Sequence, residues 1–454
     1  MMAEAGYLPM KFQLTNYTMN TNKTYKSSFI LLTVLFFLWG FITVLVDSLI
    51  PRLRELFTLS YFQAGLVQFA FFGAYLVLSI PASFILSKIG YKRGIILGLL
   101  TMALGCVLFY PAASFREFGI FILAYFILAA GITILQVAAN PFVAVLGPEN
   151  SASSRLNLSQ AFNSLGTAIA PAVGALLILS DTIKTESEIE GLSESAKDAY
   201  LASEAAAVQK PFLGLALFIV CIAGIFFFAK LPKLINESST GTYFDALKNK
   251  NLMLGVLGIF FYVGAEVAIG SYLVNYFLEM NLVDVIKETK FMTSIAEGIL
   301  NTGLTQSDDK AIVGVFVTFY WSGAMIGRFL GAYLTKVVDA GKVLKLFALT
   351  AVLLIITSIS TQGLVSMWSI LAVGLVNSIM FPTIFTLAID GIGDLKPKAS
   401  GLLCTAIVGG AIIPPLFGLL TDFLGFKTAL LLVILCYGYI FYFATINSKS
   451  KSNS

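Results

Sequence analysis

Two carboxylates lie within long apolar stretches of this sequence, where a charge is costly. Asp47 is near the end of the otherwise uncharged run 29–50, and Glu266 lies within the apolar run 253–279. An ionised Asp at the centre of a membrane helix costs roughly 2.5–3.5 kcal/mol on insertion scales, and such groups usually face a cavity or a partner. Burial disfavours the charged form of a carboxyl, so that it can bind and release a proton. Both residues are therefore candidates for coupling to a cation.

Helical spacing places further polar side chains on shared faces of the apolar runs. Residues three or four apart lie on one side of a helix, which groups Asp47 with Thr43 and Glu266 with Tyr262. Amides and carboxylates bind sugar hydroxyls, and an aromatic ring covers the apolar face of a sugar. The candidates for binding a sugar are Trp39, Gln136, Asn140, Gln160, Asn163, Tyr262, Asn275, Trp321 and Asn377. Hydrogen bonds between helices, which only hold a bundle together, are the alternative.

Twelve long apolar runs are the elements that must position these residues. Of the 454 residues, 58% are hydrophobic and 12% are charged, whereas soluble proteins carry about 25% charged residues. Since about 20 apolar residues span a bilayer, we predict membrane helices at 28–50, 62–87, 94–113, 118–146, 156–180, 212–231, 253–279, 312–335, 342–361, 365–390, 399–421 and 427–446. The fold class is thus all-α and polytopic, and runs of this length exclude a transmembrane β-barrel.

The runs divide into two halves of six that resemble divergent copies of one unit. The paired landmarks are Phe72-Gly73-Ala74 with Ser322-Gly323-Ala324, Asn140-Pro141-Phe142 with Phe381-Pro382-Thr383, and Pro171 with Pro414-Pro415. Internal repeats with broken helices are typical of secondary transporters, whose site lies between the halves. The predicted domains are a tail (1–27), a six-helix bundle (28–231), a linker (232–252), a second six-helix bundle (253–446) and a tail (447–454).

Lysines and arginines in the loops predict the orientation. With twelve spans, 18 of them lie on the side of the termini and 10 on the other side. Because positively charged loops stay in the cytoplasm, both termini and the linker are predicted to be cytoplasmic and the acidic segment 181–210 to be external. Arg328 is the remaining basic residue and lies within a span, about two turns from its cytoplasmic end. Its side chain could snorkel to the interface, and we interpret it as a gating or structural residue.

Composition also restricts the possible partners. The sequence has no histidine and four cysteines, all within predicted spans, so no disulfide, metal site or cofactor is expected and proton chemistry must use carboxylates. The net charge of +4 comes from residues that flank the membrane and does not indicate nucleic-acid binding. No cleavable signal peptide is predicted, because the first apolar run is too long. The expected partners are a small solute, a coupling cation and membrane lipid, and the expected state is a monomer.

Motifs dispersed over nearly the whole chain resemble one transporter family. In the first half they are Phe37-Leu38-Trp39-Gly40-Phe41, Ala138-Ala139-Asn140-Pro141-Phe142 and Phe162-Asn163-Ser164. In the second half they are the segment Phe261–Ser271 and Asn377-Ser378-Ile379-Met380-Phe381-Pro382-Thr383. The sequence resembles the fucose:proton symporter family of the major facilitator superfamily and, within it, the glucose/galactose permease branch.

The resemblance implies a twelve-helix protein in two bundles, a central sugar site reached alternately from each side, and uptake driven by an ion gradient. Fucose symporters have an Asp at the position of Asp47, which implies the coupling role for that residue. They have a Glu where this chain has Gln136 and a Gln where it has Glu266. The acid has moved across the cavity, which favours glucose or galactose over fucose.

The turn Ser87–Gly94 resembles the loop between the second and third helices of the superfamily, with Ser87 in place of the usual acidic residue. Charged turns of this kind can latch one bundle against the other in one access state. Lys92 and Arg93 are candidates for gating on this basis. A positive-inside anchor explains the same basic residues equally well.

Together these features predict a monosaccharide importer of the bacterial inner membrane, with glucose or galactose as the substrate and a proton as the coupling ion. Sodium remains open, because Asp47 with nearby amide or carbonyl oxygens could bind a hard cation. An uncoupled carrier or an exporter of another solute would tolerate loss of Asp47. A membrane enzyme would need a cluster such as a histidine metal site, and a sensor would need a soluble domain, so we expect neither.

Overall fold

The structure, a computed structural model, describes residues 10–47, 61–178, 191–232 and 241–450, and within these ranges it is nearly all helical. The first half contains α1 (Met10–Asp47), α2 (Tyr61–Phe115), α3 (Phe118–Val145), α4 (Ala152–Ile178) and α5 (Glu194–Phe228). The linker and the second half contain α6 (Tyr243–Lys248), α7 (Lys250–Glu279), α8 (Leu282–Glu288), α9 (Lys290–Leu300), α10 (Asp309–Val337), α11 (Ala340–Ser360), α12 (Gly363–Asn377), α13 (Met380–Ala388), α14 (Lys396–Thr405), α15 (Gly409–Leu424) and α16 (Phe426–Ser450).

Ten helical segments of the described chain are long and apolar enough to cross a membrane. One of them, Phe69–Phe115, contains two spans, because Gly90 interrupts α2 with a φ of 79°. Only glycine adopts this left-handed region at little steric cost. The more polar helix α4, which carries Asn157 and Gln160, completes the twelve. Within the described residues the twelve-helix prediction is confirmed.

Several helix boundaries differ from those predicted by hydropathy. Helix α1 begins at Met10 rather than near residue 28, and α5 begins at Glu194 rather than near residue 212. Backbone hydrogen bonds continue a helix beyond the apolar segment, because they do not depend on side-chain hydropathy. The segment 280–311, predicted as a loop, contains the short helices α8 and α9.

The predicted span 365–390 is broken between α12 and α13, and proline explains the break. Pro382 has no N–H, so it cannot donate to the carbonyl oxygen of Ser378 four residues earlier. Asn377 ends α12, and α13 begins only at Met380. Ser378 and Ile379 keep right-handed helical dihedrals, but the Ser378 carbonyl has lost its helical partner inside the bundle and needs another donor.

The helices form two bundles that meet along a limited set of contacts. Helix α4 of the first bundle packs against α10 and α13 of the second, and α14 of the second bundle packs against α2 and α3 of the first. Polar contacts between the bundles cluster at one end of the molecule, which we call the closed end. There the hydroxyl oxygens of Ser153 and Thr386 are 2.6 Å apart, and Asn157 Nδ2 donates to Thr383 Oγ1 at 3.1 Å.

The linker helix α6 is attached at the same end. Thr242 caps its N-terminus, with Asp245 accepting from the Thr242 backbone N–H and hydroxyl at 2.7 Å each. These hydrogen bonds stabilise the carboxylate and lower the pKa of Asp245. The Tyr243 hydroxyl donates to the Ile80 carbonyl at 2.9 Å and is hydrogen-bonded to Ser83, which ties the linker to α2.

Candidate functional site

Two sizeable cavities lie between the bundles in the described part of the chain. One, of about 390 Å³, lies at the closed end and has charged side chains at its rim, among them the pair Lys396 and Glu149 at 3.6 Å. The other, of about 220 Å³, lies at the centre of the molecule. We assign the candidate site to the central cavity, because polar side chains predicted from both halves converge there.

The central cavity has an amide-bearing wall and a charged wall. The first bundle contributes Trp39, Gly40, Thr43, Phe71, Tyr75, Ile132, Gln136, Gln160, Asn163 and Thr167. The second bundle contributes Tyr262, Val263, Glu266, Arg328, Phe381, Pro382 and Ile407. Amides and hydroxyls therefore face a carboxylate and a guanidinium across one cavity.

The amide wall is built on close packing of α1 against α4. A Cβ at Gly40 would lie 2.3 Å from the Asn163 carbonyl oxygen, and one at Gly166 would lie 2.2 Å from the Phe37 carbonyl oxygen. Small residues allow helix backbones to approach this closely in membranes. The contact places the Asn163 amide at the cavity, where its Nδ2 also donates to the Phe36 carbonyl at 2.9 Å.

Gln136 is oriented by a partner that the sequence analysis missed. Its Nε2 donates to the Tyr75 hydroxyl at 2.5 Å, and both residues line the cavity. Tyr75 continues a row at four-residue spacing with Phe71, Ser79 and Ser83 on α2. That spacing is the signal that would have identified this inward-facing side of the second span.

On the opposite wall Glu266 and Arg328 form an ion pair. Arg328 Nη2 is 3.6 Å from Glu266 Oε1, and the two side chains are only 16% and 14% exposed. The Tyr262 hydroxyl donates to the same Oε1 at 2.7 Å. The wall thus combines an acceptor for solute hydroxyls, a group able to take up a proton and a fixed positive charge.

Arg328 does not snorkel, and its position corrects the expectation from the sequence. Its Nε donates to the Ser378 carbonyl at 3.2 Å, and its Nη1 is hydrogen-bonded to the Ser164 hydroxyl of the first bundle. A Cβ at Gly327 would lie 2.1 Å from the Leu375 carbonyl oxygen. The glycine lets α10 lie against α12, which brings the guanidinium to the Ser378 carbonyl rather than to the membrane interface.

Asn377 lies behind the charged wall instead of lining the cavity. Its Nδ2 donates to the hydroxyls of Tyr320 at 2.7 Å and Tyr437 at 3.2 Å. Tyr320 in turn donates to the backbone carbonyl of Glu266 at 3.5 Å. Asn377 is fully buried, so its contacts support α7 and do not provide direct contact with a solute.

Asn275 and Trp321 also lie outside the cavity lining, which corrects their predicted role. Asn275 is exposed, because nine residues after Glu266 amount to about two and a half helical turns and place it on the opposite face of α7. Trp321 is 47% exposed and packs against Gly270. It lies two turns along α10 from Arg328, about 10 Å away along the helix axis.

Asn140 is buried beside the cavity, where its Oδ1 accepts from Gln160 Nε2 at 3.5 Å.

The Lys92 ammonium donates to the Phe227 and Ala229 carbonyls at 2.8 Å each, so it caps the end of α5 within its own bundle. Arg93 is exposed on α2. The side chain of Asp47 lies outside the described residues.

The comparisons with known proteins agree with this architecture. The sequence model of the Major Facilitator Superfamily matches residues 27–413. The chain belongs to the major facilitator superfamily. It is 44% identical over 437 residues to a glucose/galactose transporter of Brucella abortus biovar 1 (strain 9-941), with 95% of this chain and 96% of that protein covered.

Two further similarities narrow the family within the superfamily. The chain is 36% identical over 442 residues to the L-fucose-proton symporter of Escherichia coli (strain K12), with 95% of each chain covered. It is similar to a crystal structure of a superfamily transporter, FucP, in the outward conformation, with a TM-score of 0.82, 34% identity, and 93% of this chain and 99% of that chain covered. This chain is thus a multi-pass membrane transporter of the fucose:proton symporter family and not an enzyme, as predicted.

Proposed function

We propose that this transporter imports a monosaccharide, glucose or galactose, together with a proton by alternating access. The main support for this proposal is the central cavity, where Gln136, Gln160 and Asn163 of one bundle face Glu266 of the other. Sugar hydroxyls need such bidentate amides and carboxylates. The similarity to a glucose/galactose transporter and to a fucose-proton symporter supports the same substrate class and coupling ion.

Asp47 and Glu266 are the proposed coupling residues. Glu266 is held at the cavity by Tyr262 and Arg328. Protonation of Glu266 would therefore change the charge next to both the bound sugar and Arg328. Asp47 ends α1, the helix that also supplies Trp39 and Thr43 to the cavity. We propose gating roles for Arg328, which lines the cavity, and for Lys92 and Arg93 on α2.

The proposed setting is the bacterial inner membrane, with both termini in the cytoplasm and bundles at 28–231 and 253–446. The excess of lysine and arginine on the side of the termini supports this orientation. The closed end, formed by the start of α4 and the end of α13, then faces the cytoplasm. The conformation is accordingly outward-facing, like that of the similar FucP structure.

Uptake into proteoliposomes tests the proposal. Radiolabelled glucose is offered under an inward proton gradient, under an inward sodium gradient and without a gradient, with galactose, fucose and mannose as competitors. We expect accumulation under the proton gradient, competed by galactose. Accumulation with sodium alone would replace the coupling ion, and no uptake of glucose or galactose would refute the substrate.

Matched variants assign the coupling residues in the same assay. Asp47→Asn and Glu266→Gln are expected to lose accumulation while exchange of sugar across the membrane persists. Glu279→Gln removes a carboxylate from the exposed end of the same helix α7 and serves as the control. Proton-driven accumulation by Asp47→Asn would contradict its coupling role.

A further inference from the structure

The guanidinium group of Arg328 contacts three partners, which come from both bundles. Its partners are Glu266 on α7, the Ser378 carbonyl between α12 and α13, and the Ser164 hydroxyl on α4. Of these, Ser164 alone belongs to the first bundle. The planar fork of arginine can hold three such partners at once, which a lysine ammonium on a flexible chain does not reproduce.

Arg328 lines the central cavity, and its contact with Ser164 lies on the helix that also carries the cavity residues Gln160 and Asn163. Asn157, which bonds Thr383 at the closed end, lies seven residues before Ser164 on α4. Seven residues span about 10 Å along a helix. The Arg328–Ser164 contact is therefore the part of the closed end that lies nearest to the cavity.

The charge of Arg328 is balanced at this site by Glu266. Arginine stays protonated in proteins, and this guanidinium is mostly buried. The other titratable groups facing Glu266 in the described residues are the phenols of Tyr262 on α7, Tyr320 on α10 and Tyr437 on α16. When a proton neutralises Glu266, the guanidinium is left without its carboxylate partner, and a buried charge without a partner is strongly disfavoured.

We propose that Arg328 is a positioning residue that links the charge of Glu266 to closure of the closed end, an inference that rests on the proposed proton symport. With Glu266 ionised, the guanidinium is held against both Glu266 and Ser164 and keeps the bundles together. With Glu266 neutral, the guanidinium gains most by reaching water. Access to water requires separation from Ser164, which opens the closed end.

Distance measurements between spin labels test this link. Labels are attached to Asn150→Cys and Val337→Cys, two exposed residues from opposite bundles that line the cavity at the closed end. The exposed Cys221 is replaced by Ser in this background. We expect Glu266→Gln to shift the population from the short to the long distance by about tenfold, the size expected for losing an interaction with a charged partner.

Two further variants separate the link from a structural role. Ser164→Ala is expected to lengthen the distance in the same direction, and the double variant Glu266→Gln/Ser164→Ala to add little, because both changes break one connection. Arg328→Lys is also expected to lengthen the distance, because an ammonium group does not hold the three partners at once. The controls Glu279→Gln and Lys310→Gln are expected to leave the distance unchanged.

Unchanged distances in both Glu266→Gln and Ser164→Ala, in protein that still exchanges sugar, would overturn the inference. Fully additive shifts would also overturn it, because independent effects would then explain both variants. Sugar uptake that is the same with and without a proton gradient would instead refute the proposed function. The distances are measured without any gradient and decide the inference separately.

Discussion

The Nε of Arg328 donates to the carbonyl oxygen of Ser378 at 3.2 Å. In a continuous helix that carbonyl would accept from the residue four positions later, but this residue is Pro382, which has no N–H. The break between α12 and α13 thus creates the acceptor that fixes the guanidinium. A helix-breaking proline in one part of the second bundle positions a charged side chain from another.

Pro382→Ala should weaken this arrangement. Alanine restores an N–H that competes with Arg328 for the Ser378 carbonyl and favours a continuous helix. We expect the initial rate of uptake to fall about tenfold, since a hydrogen bond to a charged group contributes about 1.5–3 kcal/mol. Proteoliposome uptake measures the effect, with Pro81→Ala in an exposed part of α2 as the control. Equal rates for Pro382→Ala and the unmodified protein would show that the proline break is not needed.

Gln136→Ala should reduce apparent affinity for the sugar. The side chain lines the cavity and is held by the Tyr75 hydroxyl. Loss of one or two hydrogen bonds of about 1–1.5 kcal/mol each predicts an increase of about tenfold in the half-saturating concentration. Tyr75→Phe keeps the amide but frees it, so its effect should be smaller.

Equilibrium sugar binding or concentration-dependent uptake provides the measurement for Gln136→Ala. Asn275→Ala is the matched control, because this amide is exposed on the opposite face of α7. A larger loss of affinity for Asn275→Ala than for Gln136→Ala would contradict the assignment of the site.

Gly327→Ala should destabilise the second bundle. The added Cβ would meet the Leu375 carbonyl oxygen at 2.1 Å, so α10 must move away from α12. Overpacking of this kind costs about 1–3 kcal/mol, and the melting temperature in detergent should fall. Gly314→Ala on the same helix meets its nearest neighbour only at 4.0 Å and should be tolerated. Equal melting temperatures for the two variants would contradict the close packing of α10 against α12.

A cysteine pair at Ser153 and Thr386 should lock the closed end. Their hydroxyl oxygens are 2.6 Å apart across the bundles, which places the side chains within reach of a disulfide. In Ser153→Cys/Thr386→Cys, oxidation should stop net transport while sugar binding to the central cavity persists, and reduction should restore transport. The two single variants control for substitution alone. Undiminished transport by the fully cross-linked protein would show that this end need not open.

The twelve spans and most of the polar residues that line the central cavity could be predicted from the sequence, because hydropathy and helical periodicity are local properties. Gln136, Gln160, Asn163, Tyr262 and Glu266 all line one cavity, as their residue types and spacing predicted. Asn275 shows where the grouping failed. Its residue type makes it a candidate in the same span as Glu266, although the two side chains point half a turn apart.

The sequence by itself determined that Asp47, Glu266 and Arg328 lie within long apolar runs, where a charge is costly and needs a cavity or a partner. Only the tertiary structure decided which of them meet. Arg328 and Glu266 are 62 residues apart along the chain, and their pairing depends on how α10 packs against α12 through Gly327. Contacts between distant helices depend on packing in three dimensions, and a hydrophobic pattern read along one chain does not contain that information.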